Sequence, residues 1–173
     1  RHALELIDAY QCGAAIATKS DLIVRDGDIL DSIARHSPVI CKLTITTTDD
    51  ALAARLEPGA PSPSRRLAAL RELADRGLFA GVLLMPVLPF LEDTEENVLE
   101  VVERAAEAGA SFVYPALGVT MREGQREYFL QGLEDAFPGQ GLRARYLRRY
   151  GDRYWCASPR ARRLWEVFSR RCG

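Results

Sequence analysis

The chain has 173 residues, 47% hydrophobic and 27% charged, with a net charge of −1. That is enough for one domain with a real core, and the balance is ordinary for a globular protein. No apolar run approaches the roughly 20 residues that a membrane-spanning helix needs, and no secretory signal opens the chain.

The near-neutral total hides an asymmetry. Residues 1–138 carry 22 acidic against 13 basic residues; residues 139–173 carry 10 arginines against Asp152 and Glu166, so the two parts stand at −9 and +8. Only Lys19 and Lys42 are lysine. The cysteines, Cys12, Cys41, Cys156 and Cys172, lie far apart and form neither CxxC nor CxxxCxxC. With no secretory signal, this pattern leads us to expect free thiols and a cytoplasmic protein. The chain opens in mid-helix and so reads as a fragment of something longer.

The elements follow in order. Residues 2–10 form the end of a helix closed by Gly13, and Ala14–Thr18 a short buried strand ending in Thr-Lys-Ser. A helix over Asp26–Arg35 has Ile29, Leu30 and Ile33 inward and stops before Pro38. From Cys41 a β-branched strand sets Lys42, Thr44 and Thr46 on one face, with Cys41, Leu43 and Ile45 on the other. A short helix then breaks at Pro58-Gly59. Ser62 caps the next helix, Pro63 takes its first position, and Leu67, Leu70 and Leu73 form its buried stripe. Phe79–Met85 reads as a strand buried on both faces. A capping box at Asp93–Glu96 opens a helix that runs to Gly109, and Ser111–Leu117 is a fourth strand. A second capping box at Thr120–Glu123 begins a helix to Phe137. Two arginine-rich helices follow, over 142–150 and 159–171.

Strand and helix alternating four times predict an α/β fold with parallel strands and right-handed crossovers. The division expected is an α/β unit over 1–138 and a basic helical extension, 139–173, packed on it. In such folds chemistry gathers where the strands end. Those ends are 18–20, 44–48, 85–89 and 117–120. An ammonium and hydroxyls there suit a polar guest, although a solvated Lys19 is the plain alternative. Lys42 reads as an ion-paired or rim-seeking residue rather than a Schiff-base lysine, and Glu57 as a partner for Arg55 or Arg66. The arginine-rich tail admits a nucleic-acid reading with Tyr146, Tyr150, Tyr154 and Trp155 as stacking platforms, against simple amphipathic packing.

The segments TKSDLIVRD, TITTTDDALAARLEPGAPSPSRRLAALRELADRG and GVLLMPVLPFLED, with GVTMREGQREYF and YGDRYWCASPRARRLWEVF in the tail, resemble the radical S-adenosylmethionine enzymes related to spore photoproduct lyase, often labelled DNA repair photolyases. The resemblance covers nearly the whole chain, with the Glu-Pro-Gly segment its most specific part. It implies a partial (β/α)6 TIM-like barrel of which this chain supplies the C-terminal part. It also implies S-adenosylmethionine and a 4Fe-4S cluster as cofactors, and an external electron donor. The chemistry implied is a 5′-deoxyadenosyl radical that abstracts hydrogen from a substrate, with DNA a candidate. The family's CxxxCxxC loop is not in this chain, so the cluster ligands are expected upstream and the fragment is expected to be inactive alone. Matched residue by residue, Lys19 and Thr44 fall at positions that contact the cofactor, with Ser20 and Thr46 beside them.

Overall fold

The alternation along the strand at Cys41 is what the structure is built on. The computed structural model describes residues 1–172. In chain order the elements are α1 (His2–Ala9), β1 (Ala14–Thr18), a 3-10 turn (Asp21–Asp26), α2 (Gly27–Ala34), β2 (Val39–Thr44), α3 (Asp50–Leu56), α4 (Pro63–Asp75), β3 (Phe79–Leu84), α5 (Glu95–Glu107), β4 (Phe112–Pro115), β5 (Gly118–Thr120), α6 (Arg126–Ala136), α7 (Leu142–Tyr150), β6 (Trp155–Ala157) and α8 (Ala161–Cys172). Strands β1-β2-β3-β4 form one parallel sheet in that order, and it is not closed into a barrel.

Register decides which side chains share a face. Ile16 lies beside Cys41 and Cys41 beside Ala80, while Leu43 lies beside Val82. Cys41, Leu43, Ala80, Val82 and Leu84 are fully buried. This is the side on which α2, α4 and α5 touch the strands, with α1 packed on α2 and α8 on α5. The other face carries Ala17 beside Lys42, Lys42 beside Gly81, and Thr44 beside Leu83. On it Phe79 and Tyr114 remain 52% and 60% exposed. The expectation that β3 is buried on both faces is therefore corrected. On this face only Gly81 is buried, beneath Phe112, while Leu83 is half-buried and Phe79 exposed.

Three smaller expectations also change. Thr120 does not cap a helix. It ends β5, which pairs antiparallel with β6 (Thr120 opposite Trp155), and α6 starts only at Arg126. Thr94 rather than Asp93 caps α5, its hydroxyl accepting from the Asn97 N–H. Gln11, with φ 53°, and not Gly13, makes the left-handed step after α1.

The core has two parts. One joins the sheet to its helices and takes in Leu164 and Phe168 of α8; the other gathers Val119, Met121, Leu130, Leu133, Phe137, Leu142, Tyr146, Tyr150 and Cys156. Tyr146 and Tyr150 are 1% and 5% exposed, so of the two readings of the tail they follow amphipathic packing and not stacking on bases.

Gly81 shows how tightly the open face is laid. A Cβ there would stand 2.5 Å from the Phe112 carbonyl oxygen and 2.6 Å from its ring, which lies 5.2 Å from the Phe79 ring. Gly81→Ala is expected to destabilise the fold by about 1–3 kcal/mol through overpacking. Urea unfolding measures this, and a variant as stable as the parent would contradict the packing described.

Candidate active site at the sheet rim

Beyond β1 the chain turns sharply, because the Ser20 N–H donates to Thr18 Oγ1 at 2.9 Å and Ser20 Oγ accepts from the Leu22 N–H at 3.2 Å. This turn sends Lys19 outward, where its ammonium meets Glu57 Oε1 at 2.9 Å. Glu57 follows the last residue of α3 and precedes the Pro58-Gly59 turn, where Gly59 takes φ +85°. The other carboxylate oxygen, Oε2, accepts from Arg66 Nη2 at 2.6 Å.

Arg66 is the most deeply committed charged residue of the site. It lies in the first turn of α4, which is capped by Ser62, and its side chain is 2% exposed. Its Nε donates to the Pro61 carbonyl at 2.8 Å and its Nη1 to the Thr44 carbonyl at 2.9 Å. The guanidinium thus binds the end of β2 to the Glu-Pro-Gly turn, in the fixed fork that lysine lacks. Burial works to raise the Glu57 pKa, but the hydrogen bonds from Lys19 and Arg66 outweigh it and hold the carboxyl below its usual value.

One layer deeper, Thr46 is buried and its hydroxyl donates to Glu92 Oε1 at 2.6 Å. The Leu88 N–H donates to Glu92 Oε2 at 2.9 Å, and the Asn97 amide donates to the carbonyls of both Thr46 and Glu92. Burial pushes the Glu92 carboxyl up to about 7, with the charge of Glu57 adding to the rise, while Thr46, Leu88 and Lys19 pull it down. A carboxyl poised near neutrality can hold or release a proton at working pH.

Of the four residues singled out from sequence, Lys19 and Thr44 belong to one connected set of contacts through Glu57 and Arg66. Thr44 is half-buried on the open face. The Ser20 oxygen is turned to its own backbone, and the Thr46 hydroxyl to Glu92. Glu92 was missed. Its signal was an acid directly ending the apolar run 87–91, obscured by Asp93 and the capping pattern that follow at once.

The donor set suits some cofactors better than others. An ammonium with protons to spare, and a half-buried threonine on the adjacent strand, suit an amino-acid carboxylate or a ribose. An iron–sulfur cluster finds no such fit among the described residues, where no three His, Cys, Asp or Glu side chains are grouped to hold a metal. Cys41 in particular is buried, its thiol pushed up to about 11 by desolvation.

In fold, the chain is similar to spore photoproduct lyase. A variant of that enzyme with bound AdoMet and dinucleoside spore photoproduct aligns over 98% of this chain and 51% of its own, with a TM-score of 0.62 at 20% identity. The lyase complexed with the dinucleoside aligns equally well, at 21% identity. An uncharacterized protein of Mycobacterium tuberculosis is 33% identical over 137 residues, which is 79% of this chain and 40% of the relative. One from Methanocaldococcus jannaschii is 34% identical over 95 residues, 55% of this chain and 35% of the relative. The chain thus spans less than half the length of these curated relatives. No protein-family model matches it.

Two outcomes test the site's energetics. Glu92 gains a proton on folding between its ordinary carboxyl range and about 7, so the native state loses stability as pH rises through that window. Glu92→Gln is expected to flatten that slope between pH 5 and 8 in thermal melts; parallel curves would contradict it. Arg66→Ala removes one of the two partners of the half-buried Glu57 carboxylate and the donor to the Thr44 and Pro61 carbonyls, and is expected to cost about 1–3 kcal/mol in urea unfolding. A loss below 1 kcal/mol would contradict the account.

Proposed function

We propose that this chain is the S-adenosylmethionine-holding part of a radical S-adenosylmethionine enzyme of the spore photoproduct lyase kind. The observation that carries this reading is the Arg66–Glu57–Lys19 linkage at the strand ends, joined to Thr44 on an open parallel sheet. In this reading Lys19 offers its remaining N–H groups to the cofactor's carboxylate, and Thr44 offers a hydroxyl partner. Ser20 and Thr46 then act by shaping the loops that carry Lys19 and Thr44. Glu57 holds the ammonium in place and stays ionised, while Glu92 keeps a proton in reserve behind it. When bound, S-adenosylmethionine and a reduced 4Fe-4S cluster supply radical hydrogen abstraction. The cluster's ligands, and contact with an external electron donor, belong to sequence outside these 173 residues. The substrate in this reading is a nucleic acid, DNA first among candidates, and the protein works in the cytoplasm.

The test uses the full-length gene product, reconstituted anaerobically with iron and sulfide. Reductive cleavage of S-adenosylmethionine to 5′-deoxyadenosine is expected. Lys19→Ala is expected to weaken cofactor binding by about tenfold or more, as loss of a charge-assisted hydrogen bond would. Absence of cleavage in a cluster-loaded protein, or unchanged affinity in Lys19→Ala, would overturn the reading.

A second reading, a non-catalytic nucleic-acid-binding domain, has its own support. The tail's ion pairs use Arg143, Arg162, Arg163 and Arg171. Arg145, Arg148 and Arg149 have no acidic partner among the described residues and surround Phe90, with the Arg145 guanidinium 4.3 Å from the ring centroid. A flat ring among free guanidinium groups suits a single-stranded phosphodiester chain. Replacing Arg148 and Arg149 together by Ala is expected to shrink the salt dependence of oligonucleotide binding. An unchanged salt slope would remove this surface from consideration.

A further inference from the structure

We propose that an anionic group docking at Lys19 draws a proton onto Glu92, and that this proton reverses the Thr46–Glu92 hydrogen bond so that the Thr46 hydroxyl turns to the guest. Glu92 is then a positioning residue that makes binding at the rim proton-linked. The inference rests on the reading of the rim as a site for the cofactor's carboxylate, and adds what regulates that site.

The hydrogen bonds define two states. The Thr46 hydroxyl donates to Glu92 Oε1 at 2.6 Å, and the Leu88 N–H donates to Oε2 at 2.9 Å. Both oxygens accept, which is the pattern of an ionised carboxylate. With a proton taken from solvent onto Oε1 the first bond inverts. Glu92 then donates to Thr46 Oγ1, the Leu88 bond stays, and the threonine hydrogen is released. Asn97 Nδ2 donates to the Thr46 and Glu92 carbonyls at 2.8 and 2.9 Å, which pins the two backbones together. The change is therefore confined to one proton and the rotation of one hydroxyl. Thr46 lies two residues beyond Thr44, where β2 ends.

Charge links this pair to the guest. Facing Glu92 are Lys19 from the end of β1, which favours the ionised form, and Glu57 from the end of α3, which opposes it. A guest carboxylate on Lys19 cancels the attraction and adds a second negative charge beside Glu57, so it favours the proton. Burial already places the Glu92 carboxyl at about 7, where such a change alters its charge at working pH. The other ionisable neighbours do not answer in its place. Asp93 is held by the Phe90 N–H and the Ser158 hydroxyl, and burial keeps the Tyr146 phenol of α7 neutral. From α5 the contact is the uncharged Asn97. A guest that raises the Glu92 pKa binds more tightly below that pKa than above it, and the same coupling makes binding take up protons. A loop anchor alone needs no titrating group, because glutamine offers both contacts without burying a charge.

The experiment is calorimetric titration of the full-length, cluster-loaded protein with S-adenosylmethionine, in buffers of different ionisation enthalpy, so that protons are counted. Affinity is expected to fall about fivefold or more from pH 6 to pH 8, with proton uptake near pH 7. Glu92→Gln, whose amide donates to Thr46 at every pH, is expected to lose that uptake and to keep its affinity at pH 8. The guest's own amino group titrates in parent and variant alike, so the difference between them reports Glu92. Thr46→Val is expected to weaken binding at pH 6 and not at pH 8. Infrared spectra without the guest give an independent reading. A protonated-carboxyl band titrating near pH 7 is expected, absent in Glu92→Gln and shifted in Thr46→Val. Equal proton uptake in parent and Glu92→Gln, or equal losses in Thr46→Val at both pH values, would overturn the proposal, as would absence of that band. If S-adenosylmethionine binds at neither pH while the band behaves as described, the cofactor reading falls and the Glu92–Thr46 switch is supported.

Discussion

A single carboxylate, Glu57, shared between a buried arginine and an exposed lysine, organises one end of this molecule. Arg66 is taken out of water and has to find partners for its donors. It finds Glu57, the Thr44 carbonyl and the Pro61 carbonyl, and in doing so ties α4, β2 and the Glu-Pro-Gly turn together. Lys19 then joins the far side of the same carboxylate from the end of β1. The buried half of the arrangement supplies rigidity, and the exposed half supplies an ammonium held in one place. Rigid support behind a solvent-reachable charged group is what a binding site for a polar guest requires.

The sheet explains why that charge is available. Helices cover only one of its faces, so the residues of the other, from Ala17 and Lys42 to Thr44 and Leu83, look onto open space. Phe79 and Phe112 lie together there over Gly81, a close fit for an exposed surface.

Much of the fold was legible in the sequence because the signals were local. Ser62 with Pro63 marked the start of α4, and the leucines at 67, 70 and 73 marked its buried side. The alternation from Cys41 gave the faces of β2, and the Pro58-Gly59 turn narrowed the partner of Glu57 to Arg55 or Arg66, of which the fold uses Arg66. What escaped was non-local. The β5–β6 ribbon joins segments some thirty-five residues apart, neither long enough to show a period, and Thr120 in isolation looks like a cap. Glu92 escaped because its two partners, Thr46 and the Leu88 N–H, come together only once β2 and β3 are side by side. Tyr146 and Tyr150 sit in an arginine-rich stretch and read as surface residues. Yet their hydroxyls reach the Pro89 and Ala157 carbonyls, at 2.9 and 2.7 Å, and their rings fill the second core.

The central claim is that Glu57 acts on the guest through Lys19. Calorimetric titration of the full-length protein with S-adenosylmethionine, on Lys19→Ala, Glu57→Gln and the pair together, measures that coupling directly. The account predicts that Glu57→Gln lowers affinity and that the double variant is no worse than Lys19→Ala alone. Full affinity in Glu57→Gln, or losses that simply add, would contradict it.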